Sequence, residues 1–337
     1  MRTHPHLLSI LLLPLVPLSA PAVSPATHSL KADGTTETYR LISEAGFYTE
    51  TSANMSPDAF MGHQHYNHIS QIHDPSLDGY VFAFDIHIDY PEGDTHVTDG
   101  NKGTLIDRQR NEIKCMSSQP ATVAKSGETI TYTWKFMLPE GMLTTSAFCH
   151  IHQIKGMGDS QAVAHPVFTL TCRTSGKRQV LQCINVPYEG ASNVNLAQID
   201  LSTVTGRWIQ ARETFTVGRH GQYSLTLTDA LTGAMIMNVD KSDIEVWRDT
   251  DDLSTLRGKW GIYRSLGEGL SLKSQLRSER VLFADFEIRK GDPESSITET
   301  PADCRDDNGP AYNLAGQPVD NNYHGIIVRK GIKILNR

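Results

Sequence analysis

The segment Thr129–Leu138, TITYTWKFML, decides the fold class because large apolar residues occupy every second position. These residues are Ile130, Tyr132, Trp134 and Phe136. Successive side chains of a β-strand point to opposite faces of the sheet, so all four would lie on one face. The segment is therefore predicted to be a strand with one buried face.

The same alternation recurs on both sides of this segment, between turns rich in Gly and Asp. It is found in Tyr80–Asp89, Gln222–Asp229, Ala234–Val239 and Val281–Ile288. Many short strands at regular spacing predict an all-β fold, an antiparallel β-sandwich or β-jelly roll. Such folds often exceed 200 residues as one domain, so residues 23–290 are predicted to form one domain. Residues 23–55 show no clear pattern.

The composition excludes several classes of protein. The chain has 337 residues, of which 39% are hydrophobic and 20% charged, so it can bury a core and is not generally disordered. Its 31 basic and 38 acidic residues give a formal net charge of −7. Nucleic-acid binders usually carry a basic excess, so no nucleic-acid partner is expected.

Residues 1–22 have the pattern of a secretory signal peptide. Arg2 precedes the apolar run Leu7–Leu18, which is too short to span a bilayer, and Ala20-Pro21-Ala22 supplies small residues for cleavage. A buried helix is disfavoured because two prolines interrupt the run. No later segment is long and apolar enough to cross a membrane. A secreted, extracellular or cell-surface protein is predicted.

The C-terminal residues form a separate pattern. Residues 291–310 are polar and contain Pro and Gly, as expected for a linker. Residues 311–337 then contain Tyr312–Val319 (YNLAGQPV) and Gly325–Val328 (GIIV). This tail resembles the C-terminal sorting segment of Bacteroidetes type IX secretion substrates, which implies the type IX secretion machinery as a partner. The alternative is a last β-hairpin of the fold.

The chain contains five cysteines, which are Cys115, Cys149, Cys172, Cys183 and Cys304. Export permits disulfides. Cys172 and Cys183 flank the turn-like segment Thr174–Lys177. In a hairpin they would face each other, so a cross-strand disulfide between them is predicted. The pairing of the other three stays open, and no CxxC motif indicates structural zinc.

Three strand-like segments place chargeable residues at alternate positions. Asp107–Lys114 (DRQRNEIK) places four of them on one face: Arg108, Arg110, Glu112 and Lys114. Phe148–Gly156 (FCHIHQIKG) places Gln153 and Lys155 on one face, with His150 and His152 on the other. Lys259–Arg264 (KWGIYR) places Lys259, Gly261 and Tyr263 together.

Each segment alone could be a solvated sheet face with weak ion pairs. Together they supply Arg, Gln, Lys and Tyr with Glu112 as the main competing acid, a set suited to an anionic sugar. An Arg can neutralise a carboxylate bidentately, and a Tyr or Lys beside cations can act as general base. If the register of Phe148–Gly156 is reversed, the pair His150 and His152 becomes the catalytic set instead.

These segments resemble the jelly-roll polysaccharide lyases of the alginate-lyase and glucuronan-lyase group, which show RxExR, QIH and YFKAGxYNQ motifs on three strands of a concave sheet. Arg110–Lys114, Gln153–Gly156 and Lys259–Arg264 are similar to them, in the same order. The His of QIH is replaced by Lys155, and YNQ by Tyr263-Arg264-Ser265. The similarity to glucuronan lyases, polysaccharide lyase family 20, is closer.

The resemblance implies a lyase that cleaves a uronic-acid polymer by β-elimination. Arg110 and Gln153 would bind the carboxylate and stabilise the enolate-like charge. Tyr263 would be base, acid or both, and Lys155 an auxiliary base or a charge that activates Tyr263. The implied substrate-binding residues are Lys259, Arg264, Glu112, Lys114 and His87, with Glu112 also orienting Arg110. No cofactor is required, and a structural calcium ion is compatible with such folds.

Other functions remain open. His63, His65 and His68 could bind a metal, but no carboxylate or Cys completes an obvious set, so scattered surface histidines are favoured. Hydrolysis is disfavoured because only Glu112 is available where two carboxylates are needed. The remaining alternatives are a non-catalytic carbohydrate-binding jelly roll and a lyase for a sulfated glycosaminoglycan.

Overall fold

The structure is a computed structural model. It describes residues 27–50, 67–88, 107–158, 163–248, 254–291, 311–313, 316–320, 323, 325–329 and 332–336. The predicted signal peptide, His63, His65, Cys304 and the linker beyond Gly291 lie outside these residues. None of the described helices is long and apolar enough to cross a membrane.

Within the described residues the chain forms one α-helix, α1 (Thr38–Glu44), and a succession of β-strands. The strands are β1 (Thr27–Leu30), β2 (Phe47–Thr49), β3 (Ile69–Asp74), β4 (Gly79–Ile86), β5 (Arg108–Cys115), β6 (Val123–Lys125), β7 (Thr129–Met137), β8 (Cys149–Gly156), β9 (Phe168–Ser175), β10 (Arg178–Asn185), β11 (Val194–Asp200), β12 (Ile209–Thr216), β13 (Gly218–Asp229), β14 (Met235–Val246), β15 (Thr255–Ser265), β16 (Glu279–Lys290), β17 (Ala311–Asn313), β18 (Pro318–Val319), β19 (Gly325–Arg329) and β20 (Ile332–Asn336).

The strands form two eight-stranded sheets and one four-stranded sheet. The back sheet has the order β14-β13-β12-β7-β16-β4-β3, with β1 also paired to β16. The front sheet has the order β11-β10-β9-β8-β15-β5-β2, with β6 also paired to β15. The tail sheet has the order β18-β17-β19-β20. The predicted antiparallel β-sandwich of the jelly-roll class is confirmed.

Aromatic residues from both sheets fill the space between them. The predicted apolar face of β7 is fully buried, as is that of β4 from Phe82 to Ile86. Trp134 of the back sheet meets Trp260 of the front sheet at 5.9 Å between ring centroids, and Trp260 meets Phe286 at 5.5 Å. Because the inner faces are committed mainly to this core, most chargeable residues of the front sheet are directed to its outer face, with His152 and Arg264 as exceptions.

One buried polar cluster crosses the core. His152 of β8 contacts the carbonyl oxygen of Lys259 through Nδ1 at 2.8 Å and a carboxylate oxygen of Glu213 through Nε2 at 2.7 Å. Tyr223 donates to the other oxygen of Glu213 at 2.8 Å. The carbonyl can only accept, so Nδ1 carries a proton. This cluster joins the two sheets directly beneath the backbone of Lys259.

The predicted disulfide between Cys172 and Cys183 is wrong. The hairpin of β9 and β10 pairs Ser175 with Arg178, so its loop is only two residues long. This register places Cys172 opposite Leu181 and Cys183 opposite Leu170, and both thiols are free and buried. Cys172 and Cys183 would face each other only if the turn were centred between Lys177 and Arg178, whereas it is centred between Gly176 and Lys177.

The segment without a sequence pattern contributes to both sheets. Residues 27–50 form β1 in the back sheet, α1, and β2 in the front sheet. The side chain of Glu37 caps α1 by accepting from the backbone N–H groups of Tyr39 and Arg40. Residues 311–336 form the tail sheet, and their resemblance to a sorting segment stays a prediction.

Candidate active site

A register shift in β8 determines which side chains reach the outer face of the front sheet. His150 is paired with Tyr263 and Gln153 with Lys259, so β15 has one residue more than β8 between these pairs. Against β9 the shift is opposite, because His150 pairs with Thr171 and His152 with Leu170. Such a bulge interrupts the alternation of side chains.

The shift corrects the predicted faces of β8. His150 shares the outer face with Gln153 and Lys155, whereas His152 points into the core and is 1% exposed. The prediction had placed both histidines together on the face opposite Gln153. Strict alternation cannot reveal a bulge, so the sequence analysis placed His150 in the site only under the alternative of a reversed register, and then together with His152.

Tyr263 lies at the centre of a cationic and aromatic set. Arg108 donates from Nη1 to the Tyr263 hydroxyl at 3.0 Å, and the guanidinium of Arg110 lies 4.0 Å above the ring. The rings of Phe148 and His150 are 4.9 Å and 5.9 Å from the Tyr263 ring. Negative charge on the Tyr263 oxygen would therefore be stabilised by a direct hydrogen bond from a cation.

A close approach of β15 to β5 positions this tyrosine. Gly261 pairs with Glu112 and has a φ of +147°. A Cβ at this position would lie 2.1 Å from the carbonyl oxygen of Asn111 and 2.7 Å from the Cα of Glu112. Only glycine fits there, two residues before Tyr263.

Glu50, which the sequence analysis missed, binds three of the predicted site residues. It accepts from Lys259 and Lys114 at 2.6 Å each and forms an ion pair with Arg110. Burial opposes ionisation of Glu50, but these three cations outweigh burial and hold its pKa well below its usual range. Glu50 follows β2 in a segment without a sequence pattern, so no signal pointed to it.

Glu112 is the second carboxylate of the site and is fully buried. Gln153 donates to one of its oxygens, and the other lies 2.9 Å from Nζ of Lys259 and 3.4 Å from Nε of Arg110. The structure thus brings together Arg110, Gln153, Glu112, Lys114 and Lys259. Their polar atoms are engaged mainly with carboxylates of the protein itself.

His150 is half-buried and stacks on Phe148 at 4.8 Å between ring centroids. Burial and then the positive charges of Arg173, Lys259 and Arg110 lower its pKa to about 3. The ring is therefore neutral near pH 7. Its Nδ1 is buried and has no hydrogen-bond partner among the residues that the structure describes.

Among the neighbouring cations, Arg173 lowers the pKa of His150 most, and the sequence analysis did not identify it. It lies on β9 two residues beyond Thr171, the partner of His150, and therefore on the same face. Burial lowers its pKa, and its Nε is buried without a hydrogen-bond partner in the described part of the chain. An anion beside His150 would compensate this charge.

Lys155 does not lie beside Tyr263 as an auxiliary base would. It is paired with Arg257, six residues before Tyr263 on β15. Burial, followed by the charges of Lys259 and Arg110, lowers its pKa to about 8. His150 occupies the position beside Tyr263 that was expected for the auxiliary group. Because β8 and β15 are antiparallel, the start of β8 lies opposite Tyr263 and Lys155, near the end of β8, lies opposite Arg257.

Two predicted substrate-binding residues are placed elsewhere. Arg264 is 1% exposed and donates from Nε to the side chain of Gln109 at 2.9 Å, on the inner side of β5. His87 packs its ring against His68 at 5.5 Å, and its carbonyl accepts from Gln109 at 2.6 Å. The alternation that places Tyr263 outward directs Arg264 inward, so the predicted sugar contact of Arg264 is corrected.

No group of three or more metal-ligating side chains occurs among the described residues. His63 and His65 lie outside them, so the metal alternative for the histidine cluster is untested. The compatibility with structural calcium likewise stays a prediction.

No protein-family model matches the sequence. No curated protein matches it either. Similar solved structures include an endo-β-1,4-glucuronan lyase from the fungus Trichoderma reesei, with 14% identity, a TM-score of 0.42, and coverage of 66% of this chain and 86% of that chain. An alginate lyase from Klebsiella pneumoniae has 14% identity, a TM-score of 0.43 and coverage of 67% and 86%.

A marine alginate lyase from Aplysia kurodai has 11% identity, a TM-score of 0.46 and coverage of 77% and 97%. All three identities are low and all three TM-scores are below 0.5.

Proposed function

We propose that this protein is a secreted lyase that cleaves a uronic-acid-containing polysaccharide, glucuronan-like in its charge, by β-elimination. The observation that carries the proposal is the pairing of Tyr263 with His150 on an outer face rich in cations. Arg108 donates a hydrogen bond to the Tyr263 hydroxyl, and His150 places a half-buried imidazole that is neutral near pH 7 beside the Tyr263 ring.

β-Elimination needs a base, an acid and a group that stabilises charge on the carboxylate. In the proposed reaction His150 accepts the proton from C5 of the uronate. The electrons of the C5–H bond form a double bond between C4 and C5, and the C4–O4 bond breaks. Tyr263 donates its proton to the departing oxygen, and Arg108 stabilises the phenolate left behind.

The low pKa of His150 is a property of the protein without substrate. A uronate carboxylate bound beside the ring would offset the charges of Arg173, Lys259 and Arg110 and raise that pKa. His150 would then become a stronger base when substrate is bound. Arg173 is the proposed direct partner of the carboxylate, because Arg110 and Gln153 are already engaged by Glu50 and Glu112.

In this proposal Arg110, Gln153, Glu112, Lys114 and Lys259 form a rigid charged network behind Tyr263. Their role is to hold Tyr263 and its surroundings in place rather than to contact the reacting atoms. A lyase for a sulfated glycosaminoglycan would use the same pair, Tyr263 and His150, with different flanking contacts. A non-catalytic carbohydrate-binding protein would need the cations but not this pair.

The test is the ultraviolet absorbance of the purified protein incubated with glucuronan, alginate, ulvan, heparan and chondroitin. Elimination creates a C4–C5 double bond conjugated to the carboxylate, so absorbance rises without an added reagent. A rise with one polymer supports the lyase and identifies its substrate. Binding without a rise would favour the non-catalytic protein, and new reducing ends without a rise would mean hydrolysis.

We also propose that the chain is exported through its N-terminal segment and its tail. Support comes from the signal-peptide pattern of residues 1–22 and the sorting-like pattern of residues 311–337. Deleting residues 311–337 should retain the protein inside a Bacteroidetes host, whereas the full chain should appear outside the cell. Equal export of both forms would contradict a sorting role for the tail.

A further inference from the structure

The outer face of the front sheet carries more positive than negative charge. Around Glu50 and Glu112 lie four cations, which are Arg110, Lys114, Lys155 and Lys259. The ion pairs of the two carboxylates go to Arg110, Lys114 and Lys259. Lys155 has no ion pair or hydrogen bond with any residue that the structure describes, so it is the cation left over in this network.

The residue opposite Lys155 is also a cation. The register of β8 and β15 pairs Lys155 directly with Arg257. The Nε of Arg257 is buried and has no hydrogen-bond partner within the described residues. Like charges directly opposite each other on one sheet face destabilise the fold. Two half-buried cations in this position therefore cost stability unless an anion lies between them.

We propose that Lys155 and Arg257 form an anion-binding subsite for an acidic group of the same polysaccharide chain, several sugars away from the bond that is cleaved. The chemistry recognised is a sugar-borne oxyanion, either a carboxylate or a sulfate ester. Burial and neighbouring cations lower the pKa of Lys155, and a bound anion would reverse this effect.

The position of the subsite implies its distance from the reaction. Arg257 and Tyr263 are six residues apart on β15 and share the outer face. At about 3.3 Å per residue their backbones are roughly 20 Å apart. A polymer that occupies both sites must extend over several sugars, so the inference predicts internal cleavage of long chains. The inferred subsite rests on the proposed function for the identity of the polymer, but a binding measurement can test the subsite without any lyase activity.

The experiment measures the affinity of size-graded glucuronate oligosaccharides, and of sulfated heparan oligosaccharides, for full-length protein with Tyr263→Phe to prevent turnover. The oligosaccharides should gain about tenfold in affinity once they are long enough to reach Lys155. Adding Lys155→Met should remove that gain and leave the affinity of shorter oligosaccharides unchanged. Lys241→Met, an exposed lysine of the back sheet, is the matched charge control.

A second measurement separates the subsite from a general loss of charge or fold. Without ligand, Lys155→Met should raise the melting temperature by roughly 2–4 °C, because it removes one of two opposed cations. The inference is overturned if Lys155→Met keeps the length-dependent gain, or if Lys241→Met loses it equally. A gain restricted to sulfated oligosaccharides would identify a sulfate rather than a carboxylate as the ligand. Absence of lyase activity in the protein that retains Tyr263, together with an intact length-dependent gain in the Tyr263→Phe variant, would reject the proposed reaction and keep the subsite.

Discussion

His150 lies directly opposite Tyr263 across β8 and β15, with 5.9 Å between their ring centroids. This relationship exists because β8 shifts register by one residue between His150 and His152. Strict alternation would place His150 on the face opposite Gln153, whereas the shift places it on the outer face beside Tyr263. It supplies the outer face with a proton acceptor that is neutral near pH 7.

Replacing His150 tests its proposed role as base. His150→Gln keeps a polar side chain of similar length but removes the group that accepts the C5 proton. We expect kcat to fall about 10²- to 10⁴-fold with little change in KM. The check is the initial rate of absorbance increase with the active polymer. His220→Gln, at an exposed position of the back sheet, is the control, and equal losses in both variants would contradict the role.

The same histidine predicts a pH dependence of stability. Its pKa is lowered from 6.5 to about 3, so between these values the unfolded chain binds a proton that the folded chain does not. Stability should therefore decrease as pH falls through this window. His150→Gln should flatten the dependence of the free energy of unfolding on pH, measured by urea denaturation from pH 7 to pH 4. Unchanged slopes would show that His150 is hydrated in the folded protein.

Glu50 is predicted to stabilise the site. Glu50→Gln leaves Arg110, Lys114 and Lys259 facing a neutral amide, with only Glu112 to balance two of them. Removing one partner of a buried ion pair costs about 3–5 kcal/mol. Chemical denaturation of the variant should show a loss of this size and a large fall in kcat. Glu44→Gln, on the exposed side of α1, should change little, and a stable Glu50→Gln would refute the network.

Gly261 is predicted to be irreplaceable by alanine. A Cβ there would meet the Asn111 carbonyl, so Gly261→Ala should separate β15 from β5, displace Tyr263 and cost at least about 1–3 kcal/mol. Thermal unfolding and activity should both report the change. Gly176→Ala is the matched control because it also has a positive φ but meets nothing within 4 Å. It should cost roughly 1 kcal/mol and leave kcat unchanged.

The sequence predicts the sandwich well because alternation is a local property. The segment Thr129–Leu138 and the strand ending at Ile86 bury the faces that their patterns indicate. Two features escaped prediction because they depend on pairing between strands. The two-residue loop of the β9–β10 hairpin separates Cys172 from Cys183, and the bulge in β8 reverses the face of His150.

Glu50 and Arg173 illustrate a different limit. The sequence identified Arg110 and Gln153. It did not identify Glu50, the carboxylate that binds Arg110, or Arg173, the arginine near His150. Glu50 is brought to Lys259 from 209 positions earlier in the chain. No periodic pattern records such a contact, since it results from β2 pairing with β5 at the sheet edge.

The most direct test of proton transfer by Tyr263 compares the protein with its Tyr263→Phe variant at a saturating concentration of the polymer that gives an absorbance increase. The substitution removes one oxygen and should leave the ring packing of Arg110 and Phe148 intact. We expect the variant to bind the polymer with unchanged affinity but to lose the absorbance increase. An increase that persists at the original rate would contradict a proton-transferring role for Tyr263 and place the reaction elsewhere.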